Sequence, residues 1–336
     1  MVIEDQPIPQ VTFKGKSLED NYTVRLLSGA AVQYQNISKI KAQLVSDERT
    51  WKTSNPLENS ESSMDFYHRV ATFHQMKLQV STRMSAVYLK FGIQVQQESG
   101  VSPVIQSSPS YPLIVITNES QWCEAAGKLV IIDSFAGQME VSWPQFANGL
   151  HHHFLKATRQ EPGRPARCIK PHEFAFFKEK FFGNQDLVTA QQAGRFWSWF
   201  GQVTQTLRFK RHISTLWFTG LIYGLISKEE CNVALANKDI GTFMIRFSES
   251  FPGLFAVAYV SDDPVEPVKH YLVKPDDTGS QKTLPDFLRE KPQFRFLYLL
   301  DTNTGQLCTY EKNAVLQSFY SKVKRLDSQQ NGYVLL

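Results

Sequence analysis

A single arginine stands inside an apolar run, Gly241-Thr242-Phe243-Met244-Ile245-Arg246-Phe247-Ser248-Glu249-Ser250. Thr242, Phe243, Met244, Ile245 and Phe247 favour a buried strand, so Arg246 loses its water unless an anion meets it. Its guanidinium fork makes two parallel N–H···O bonds at once, which suits a phosphate, and the hydroxyls of Ser248 and Ser250 can donate to the remaining oxygens. The chemistry implied is holding a phosphoryl group, not transferring it. The competing reading is a structural pair with a carboxylate, a common way to satisfy a buried arginine.

The elements that must position Arg246 lie on both sides of it. Upstream, Ser227 followed three residues later by Glu230 forms a capping box and opens a helix from Lys228 to about Ala236. Lys228 stands in the first turn, where a cation gains nothing from the helix dipole; it is either a second phosphate ligand or a solvated charge. Downstream come strands at Leu254 to Val260 and Lys269 to Val273, then a helix from Leu284 to Glu290. Helix, strand with internal arginine, antiparallel strands and second helix make the order of an α+β SH2 domain.

The run from Leu216 to Ser250 resembles the SH2 domain of the STAT family, the signal transducers and activators of transcription. The resemblance rests on Leu216-Trp217, on Gly224-Leu225-Ile226-Ser227-Lys228-Glu229 and on Gly241 to Ser250. It implies that Lys228, Arg246, Ser248 and Ser250 bind phosphotyrosine.

Composition sets the class. A chain of 336 residues with 42% hydrophobic and 20% charged residues has the make-up of a soluble protein of two or three domains. No apolar stretch approaches the roughly 20 residues of a membrane span, and the charged opening Met1-Val2-Ile3-Glu4-Asp5 is no signal peptide. Cys123, Cys168, Cys231 and Cys308 lack metal or disulfide spacing, which fits a reducing compartment. No Gly-rich phosphate loop or nucleophile elbow is present, so neither catalysis nor a cofactor is expected. His151-His152-His153 does not form a metal site on a helix, because consecutive residues face different directions.

From Val11 to about Asn118 the pattern is short strands broken by turns: Tyr22 to Leu27, Ser38 to Val45, Gln75 to Val80, Ala86 to Val95 and Leu113 to Thr117. Period-two alternation favours a β-sandwich, with polar loops at Ser54 to Ser63 and Gln96 to Ser110. Val11-Thr12-Phe13-Lys14-Gly15, Thr23-Val24-Arg25-Leu26-Leu27 and Tyr111-Pro112-Leu113-Ile114-Val115-Ile116-Thr117-Asn118 resemble the opening and closing strands of the STAT DNA-binding domain, an immunoglobulin-like sandwich. That resemblance implies Asn118 as a base reader, its amide able to donate and accept, and Lys14 as a DNA contact with Lys16 as its near alternative. Residues 1–120 hold 11 Lys plus Arg and 11 Asp plus Glu, a net of 0; residues 121–210 hold 11 and 7, a net of +4 that equals the whole chain's +4. Non-specific DNA affinity comes mainly from phosphate neutralisation, so a monomer is expected to bind DNA poorly.

After Asn118 the periodicity becomes helical at Trp122 to Phe135, Trp143 to Ala157, Pro171 to Phe182 and Thr189 to Arg208. Pro171 suits a first helical position and Gly183 a C-terminal stop. Phe174, Phe176, Phe177, Phe181, Phe182, Phe196, Trp197, Trp199 and Phe200 form a candidate aromatic core, and Lys178 to Gly183 with Phe196 to Phe200 resembles the STAT linker domain, read here as all-α.

Past the second SH2 helix, Phe294 to Leu300 matches the family loosely, Ala314 to Leu326 suits a short helix, and Asp327 to Leu336 is a polar tail. Gly332-Tyr333-Val334 resembles the family's phosphorylation site. From Tyr320 to Tyr333 the chain spans at most about 43 Å, so length alone permits binding in cis as well as in trans. The expected domains are 1–120 (DNA-binding), 121–215 (linker), 216–326 (SH2) and 327–336 (tail). The resemblance implies a latent transcription factor: a tyrosine kinase modifies Tyr333, two copies exchange phosphotyrosines between SH2 domains, and the homodimer grips a near-palindromic duplex. Further implied partners are phosphotyrosine-bearing receptors or adaptors, with no membrane insertion, and a move from cytoplasm to nucleus on activation. The alternative is a phosphotyrosine adaptor that makes no use of DNA. The family's coiled coil, N-terminal domain and activation domain are not found in the 336 residues, so the chain is read as a core fragment or a short member.

Overall fold

The computed structural model describes residues 1–27, 36–37, 39–46, 56–65, 67–96, 103–278, 282–300 and 306–321. The chain divides into two compact units, Met1–Arg208 and Phe209–Leu336.

Among the described residues, the first unit opens with twelve strands: β1 (Val2–Asp5), β2 (Gln10–Phe13), β3 (Tyr22–Arg25), β4 (Asn36–Ile37), β5 (Ile40–Val45), β6 (Leu57–Glu58), β7 (Glu61–Ser62), β8 (Val70–Phe73), β9 (Lys77–Leu78), β10 (Tyr88–Gln96), β11 (Val104–Gln106) and β12 (Leu113–Ile116). One sheet runs β1-β3-β8 and a second β11-β10-β5-β7, with β4 also on β10. Ile40, Ala42 and Leu44 are buried while Lys41 and Gln43 are exposed, the period-two signature of a strand with one wet face. The inward residues of both sheets meet around Tyr22, Phe73 and Phe91, whose ring centroids lie 5.8 Å (Tyr22–Phe91) and 4.8 Å (Phe73–Phe91) apart. β12 pairs in parallel with β2 and is buried at all four positions. Leu113 and Val115 enter the sandwich core, and helix α1 (Trp122–Phe135) packs on β2 and β12.

The strands differ from the sequence reading in several places: β1 was not anticipated, and β6 and β7 fall inside the segment Ser54 to Ser63 read as a loop. The expected strand from Gln75 to Val80 shrinks to β9, because Gln75 takes a left-handed φ of 51° and the N–H of Gln79 turns away to the Pro56 carbonyl at 2.9 Å. β8 was not anticipated. β11 emerges inside the segment read as loop because Val104–Gln106 finds a partner in Gly92–Gln94.

The helical part comprises α1, then β13 (Glu140–Ser142), α2 (Trp143–Ala157), α3 (Pro171–Phe182), β14 (Leu187–Thr189) and α4 (Ala190–Phe209). Ser142 caps α2 by accepting from the Gln145 N–H. Pro171 opens α3, and Gly183 closes it at φ 58°, where a Cβ would be strained. The linker is helical as expected, its helices joined in addition by a three-residue antiparallel ribbon of β13 and β14. Phe146, Phe177, Phe182, Phe196 and Phe200 are fully buried around one another, with Phe177–Phe196 and Phe196–Phe200 centroids both 5.1 Å apart. This core is locked to the sandwich by Lys156 with Asp20 and by Arg208 Nη2 with Glu19 at 3.1 Å. His153 is buried against Asp133 at 2.9 Å, while His151 and His152 stack edge to face; the triplet points in several directions.

The second unit holds α5 (Arg211–Phe218), α6 (Lys228–Leu235), β15 (Thr242–Phe247), β16 (Phe255–Val260), β17 (Val268–Val273), α7 (Leu284–Arg289), β18 (Phe296–Leu300), β19 (Leu307–Glu311) and α8 (Lys312–Leu316). Its sheet runs β17-β16-β15-β18-β19, with only β15–β18 parallel. Met244, Ala258, Val260 and Val268 pack against Cys231 and Leu235 of α6. On the opposite face Phe243, Phe247 and Tyr271 meet Phe294, Trp217 and Phe287 at 5.3, 6.1 and 5.4 Å. Beyond α8 the chain makes a 3-10 turn, Gln317–Phe319, and is extended at Tyr320; the rest of the helix expected from Ala314 to Leu326, from Lys322 on, lies outside the described residues.

Candidate functional site

Arg246 is 5% exposed at the end of the central strand β15. Both edges of that strand are bonded beside it: β16 pairs on one side, and on the other Tyr223 N–H donates to the Ile245 carbonyl (2.7 Å) and Phe247 N–H to the Gly224 carbonyl (3.2 Å). The arginine therefore cannot escape to solvent by fraying. Its Nη1 donates to the Phe247 carbonyl at 3.1 Å, while its Nε is buried and bonds to nothing. The edge formed by Nε and Nη2, the side-on fork suited to two oxygens of a phosphate, is the one left uncommitted.

Strand alternation sets the surroundings. Arg246 registers with Ala256 and Met244 with Ala258, which in turn register with Leu272 and His270. All six side chains share the face covered by α6. The two alanines make a low floor between Arg246 and His270. His270 Nε2 lies 2.8 Å from Asn232 Oδ1 on α6, and its Nδ1 is buried without a partner. Burial, then the positive charges of Arg246 and Lys228, hold the His270 pKa down to about 4, so the ring is neutral at pH 7. Cys231, fully buried under the same helix, has its thiol pushed up to about 12 by burial.

Lys228 is the first residue of α6, and the Ser227–Glu230 capping box forms as the sequence predicts. Its backbone N–H donates to Glu249 Oε2 at 2.8 Å. The same oxygen lies 3.7 Å from Arg246 Nη1, with the Glu249 side chain 10% exposed. Both sequence readings of Arg246 thus have a physical counterpart: a carboxylate stands beside the guanidinium, yet beyond hydrogen-bond length and leaving Nε unmet. Ser248 is buried, its Oγ accepting from the Phe251 N–H at 3.2 Å and its N–H donating to the Leu254 carbonyl at 2.8 Å. These bonds fix the turn that ends β15. Ser250 is exposed on that turn.

In the first unit, Lys14, Lys16 and Asn118 come to one end of the sandwich. The parallel register Phe13–Ile116 sends both strands out side by side, and Lys14 N–H donates to the Ile116 carbonyl at 2.8 Å. Gly15, at φ 72°, turns the loop, and its N–H donates to the Leu78 carbonyl at 2.9 Å. Lys14, Lys16 and Asn118 are all exposed; the Asn118 side-chain oxygen accepts from Ser120 Oγ. Tyr333 lies outside the described residues.

Sequence reasoning missed three residues at these sites. Glu249 stands three residues from Arg246 but is turned into the site by the Lys228 N–H of α6, 21 residues earlier, and His270 comes beside Arg246 through the strand register and its bond to Asn232 of α6. Arg83 is exposed at φ 49° on a turn tied to β12 by Thr82, which donates its N–H to the Val115 carbonyl and accepts the Val115 N–H on Oγ1, both at 3.1 Å. That tie puts a further cation at the Lys14–Asn118 end, and the apolar–polar pattern around residue 83 carried no sign of it.

Three family models match consecutive parts of the chain: a STATa immunoglobulin-like domain over residues 1–116, an EF-hand fold domain over 118–210 and an SH2 domain over 217–299. The chain is 42% identical over 329 residues to signal transducer and activator of transcription A of Dictyostelium discoideum, covering 96% of this chain and 46% of that protein. It is 39% identical over 378 residues to signal transducer and activator of transcription B of the same organism, covering 99% of this chain and 33% of that protein. The chain thus spans less than half the length of these relatives.

Proposed function

The chain belongs to the STAT family of signal transducers and activators of transcription, and from that premise we propose that it is a transcription factor switched by tyrosine phosphorylation. A tyrosine kinase modifies Tyr333, adding a charge of about −1.5 to −2. The phosphotyrosine enters the Arg246 pocket of a second copy, with Ser248, Ser250 and Lys228 around it. Reciprocal exchange closes a two-fold dimer. The two sandwiches then hold a near-palindromic duplex, Asn118 at base edges and Lys14 and Lys16 at phosphates. Before activation the same pocket recruits the protein to phosphotyrosines on receptors or adaptors, and the dimer acts in the nucleus after a cytoplasmic start. In this reading residues 1–120 bind DNA, 121–215 couple, 216–326 recognise phosphotyrosine and 327–336 carry the modified tyrosine.

One observation carries the proposal: a buried arginine whose Nε has no partner, on a central strand facing the N-terminus of α6. An uncompensated buried guanidinium edge is expensive to maintain, and a phosphate supplies what it lacks. The clustering of Lys14, Lys16 and Asn118 at one end of the sandwich favours DNA over a pure adaptor role.

The test is light scattering of the full chain before and after tyrosine phosphorylation, each sample offered a library of palindromic duplexes. The proposal expects a doubled mass and selected DNA only after phosphorylation, and neither for Tyr333→Phe. A constant monomer that still binds phosphopeptide establishes the adaptor instead.

A further inference from the structure

Resting on the reading of Arg246 as the phosphate ligand, we propose that Glu249 is the resident anion of that pocket, an internal carboxylate that every incoming anion must displace. Glu249 Oε2 accepts one hydrogen bond and faces one cation at ion-pair distance. The first N–H of the eight-residue helix α6 reaches it at 2.8 Å, and Arg246 Nη1 stands 3.7 Å away. A helix N-terminus and a guanidinium converging on one oxygen is the environment a phosphate oxygen takes. The side chain is 10% exposed, so it is folded into the site and not solvated beside it.

The carboxylate is an imperfect occupant. It leaves the Arg246 Nε buried and unbonded, whereas a phosphate brings three acceptor oxygens and up to two charges. Displacement therefore exchanges an incomplete anion for one that satisfies the whole fork. Because the resident group is part of the chain, it weakens all ligands by a common factor. Anions that make few contacts, such as a carboxylate or a sulfate ester, drop below useful affinity, and phosphotyrosine stays above it. Glu249 so sets the threshold of the switch without altering the intrinsic ranking of ligands.

The experiment uses the full chain and a peptide of residues 327–336 bearing either phosphotyrosine or sulfotyrosine at position 333, with binding followed by fluorescence anisotropy. Glu249→Gln keeps the shape and an acceptor for the Lys228 N–H but removes the charge; Glu249→Ala removes both. Loss of one charge-assisted contact corresponds to about a tenfold change. The proposal expects both peptides to bind about tenfold tighter to Glu249→Gln and tighter still to Glu249→Ala, with an unchanged ratio between them. Weaker binding by both variants overturns it, showing that Glu249 orients Arg246. A gain confined to the phosphotyrosine peptide also overturns it, because a carboxylate that stays and repels the ligand discriminates by charge. Arg246→Leu run beside them separates the two ideas: unchanged phosphopeptide binding there refutes the pocket itself, whatever Glu249 does.

Discussion

Arg246→Leu should abolish phosphopeptide binding while leaving the SH2 unit folded, and the structure fixes the size of both effects. Nη1 is held by the Phe247 carbonyl, so Nε and Nη2 are the two donors a phosphate engages. Hydrogen bonds to charged groups contribute about 1.5 to 3 kcal/mol each, and losing two lowers affinity by about 3 to 6 kcal/mol, roughly 10²- to 10⁴-fold. The fold loses one bond to a carbonyl and gains an apolar side chain at a 5% exposed position. Glu249 keeps its bond from the Lys228 N–H. Removing one partner of a buried ion pair costs about 3 to 5 kcal/mol when the other charge is left wholly unpaired; Glu249 keeps the Lys228 N–H and the unmet Nε disappears with the arginine, so stability should fall by no more than about 3 kcal/mol. Titration calorimetry with the phosphorylated 327–336 peptide reads the first effect and chemical denaturation the second. Affinity within threefold of wild type, in a variant that remains folded, would refute the reasoning.

Other perturbations follow from the same geometry. Asn118→Ala should weaken specific duplex binding by about 1 to 3 kcal/mol and leave dimer mass unchanged, as gel-shift titration and light scattering would measure. Burial pushes the Asp286 carboxyl up, but bonds from Ser321 and Thr283 outweigh it and hold the pKa at about 2. A folded pKa below the unfolded value of 3.8 gives stability that is present above about pH 4 and lost as pH falls through 2. Asp286→Asn should cost about 2 kcal/mol at pH 7 and flatten that acid limb in denaturation curves. His270, neutral in the fold with its pKa near 4 against an ordinary 6.5, makes the unfolded state bind more protons between those values, so stability should fall as pH drops from 6.5 towards 4. His270→Gln should remove that slope.

The buried strand around Arg246, the capping box at Ser227, the helix start at Pro171 and the helix stop at Gly183 were legible because each depends on neighbours within a few residues. The lone arginine among apolar side chains was itself the strongest signal. Less accessible were features decided by partners far along the chain. β11 exists because Val104–Gln106 lies beside β10, and the short β13–β14 ribbon joins residues about 50 apart, too brief to show periodicity. Glu249 read as part of a turn of hydroxyl donors; its role depends on the amide of Lys228, 21 residues earlier. His270 became part of the site through the two alanines of β16 that register between it and Arg246. Local periodicity carries no information about such registers.

The most direct test of the account is the Arg246 Nε–H resonance of the full chain, observed by ¹⁵N NMR during titration with the 327–336 peptide. A buried Nε–H that acquires a phosphate oxygen should move strongly downfield and become protected from exchange with the peptide phosphorylated at Tyr333, and stay unmoved with the unphosphorylated one. Binding of the phosphopeptide with that resonance unchanged would contradict the assignment of Arg246 as the phosphotyrosine ligand.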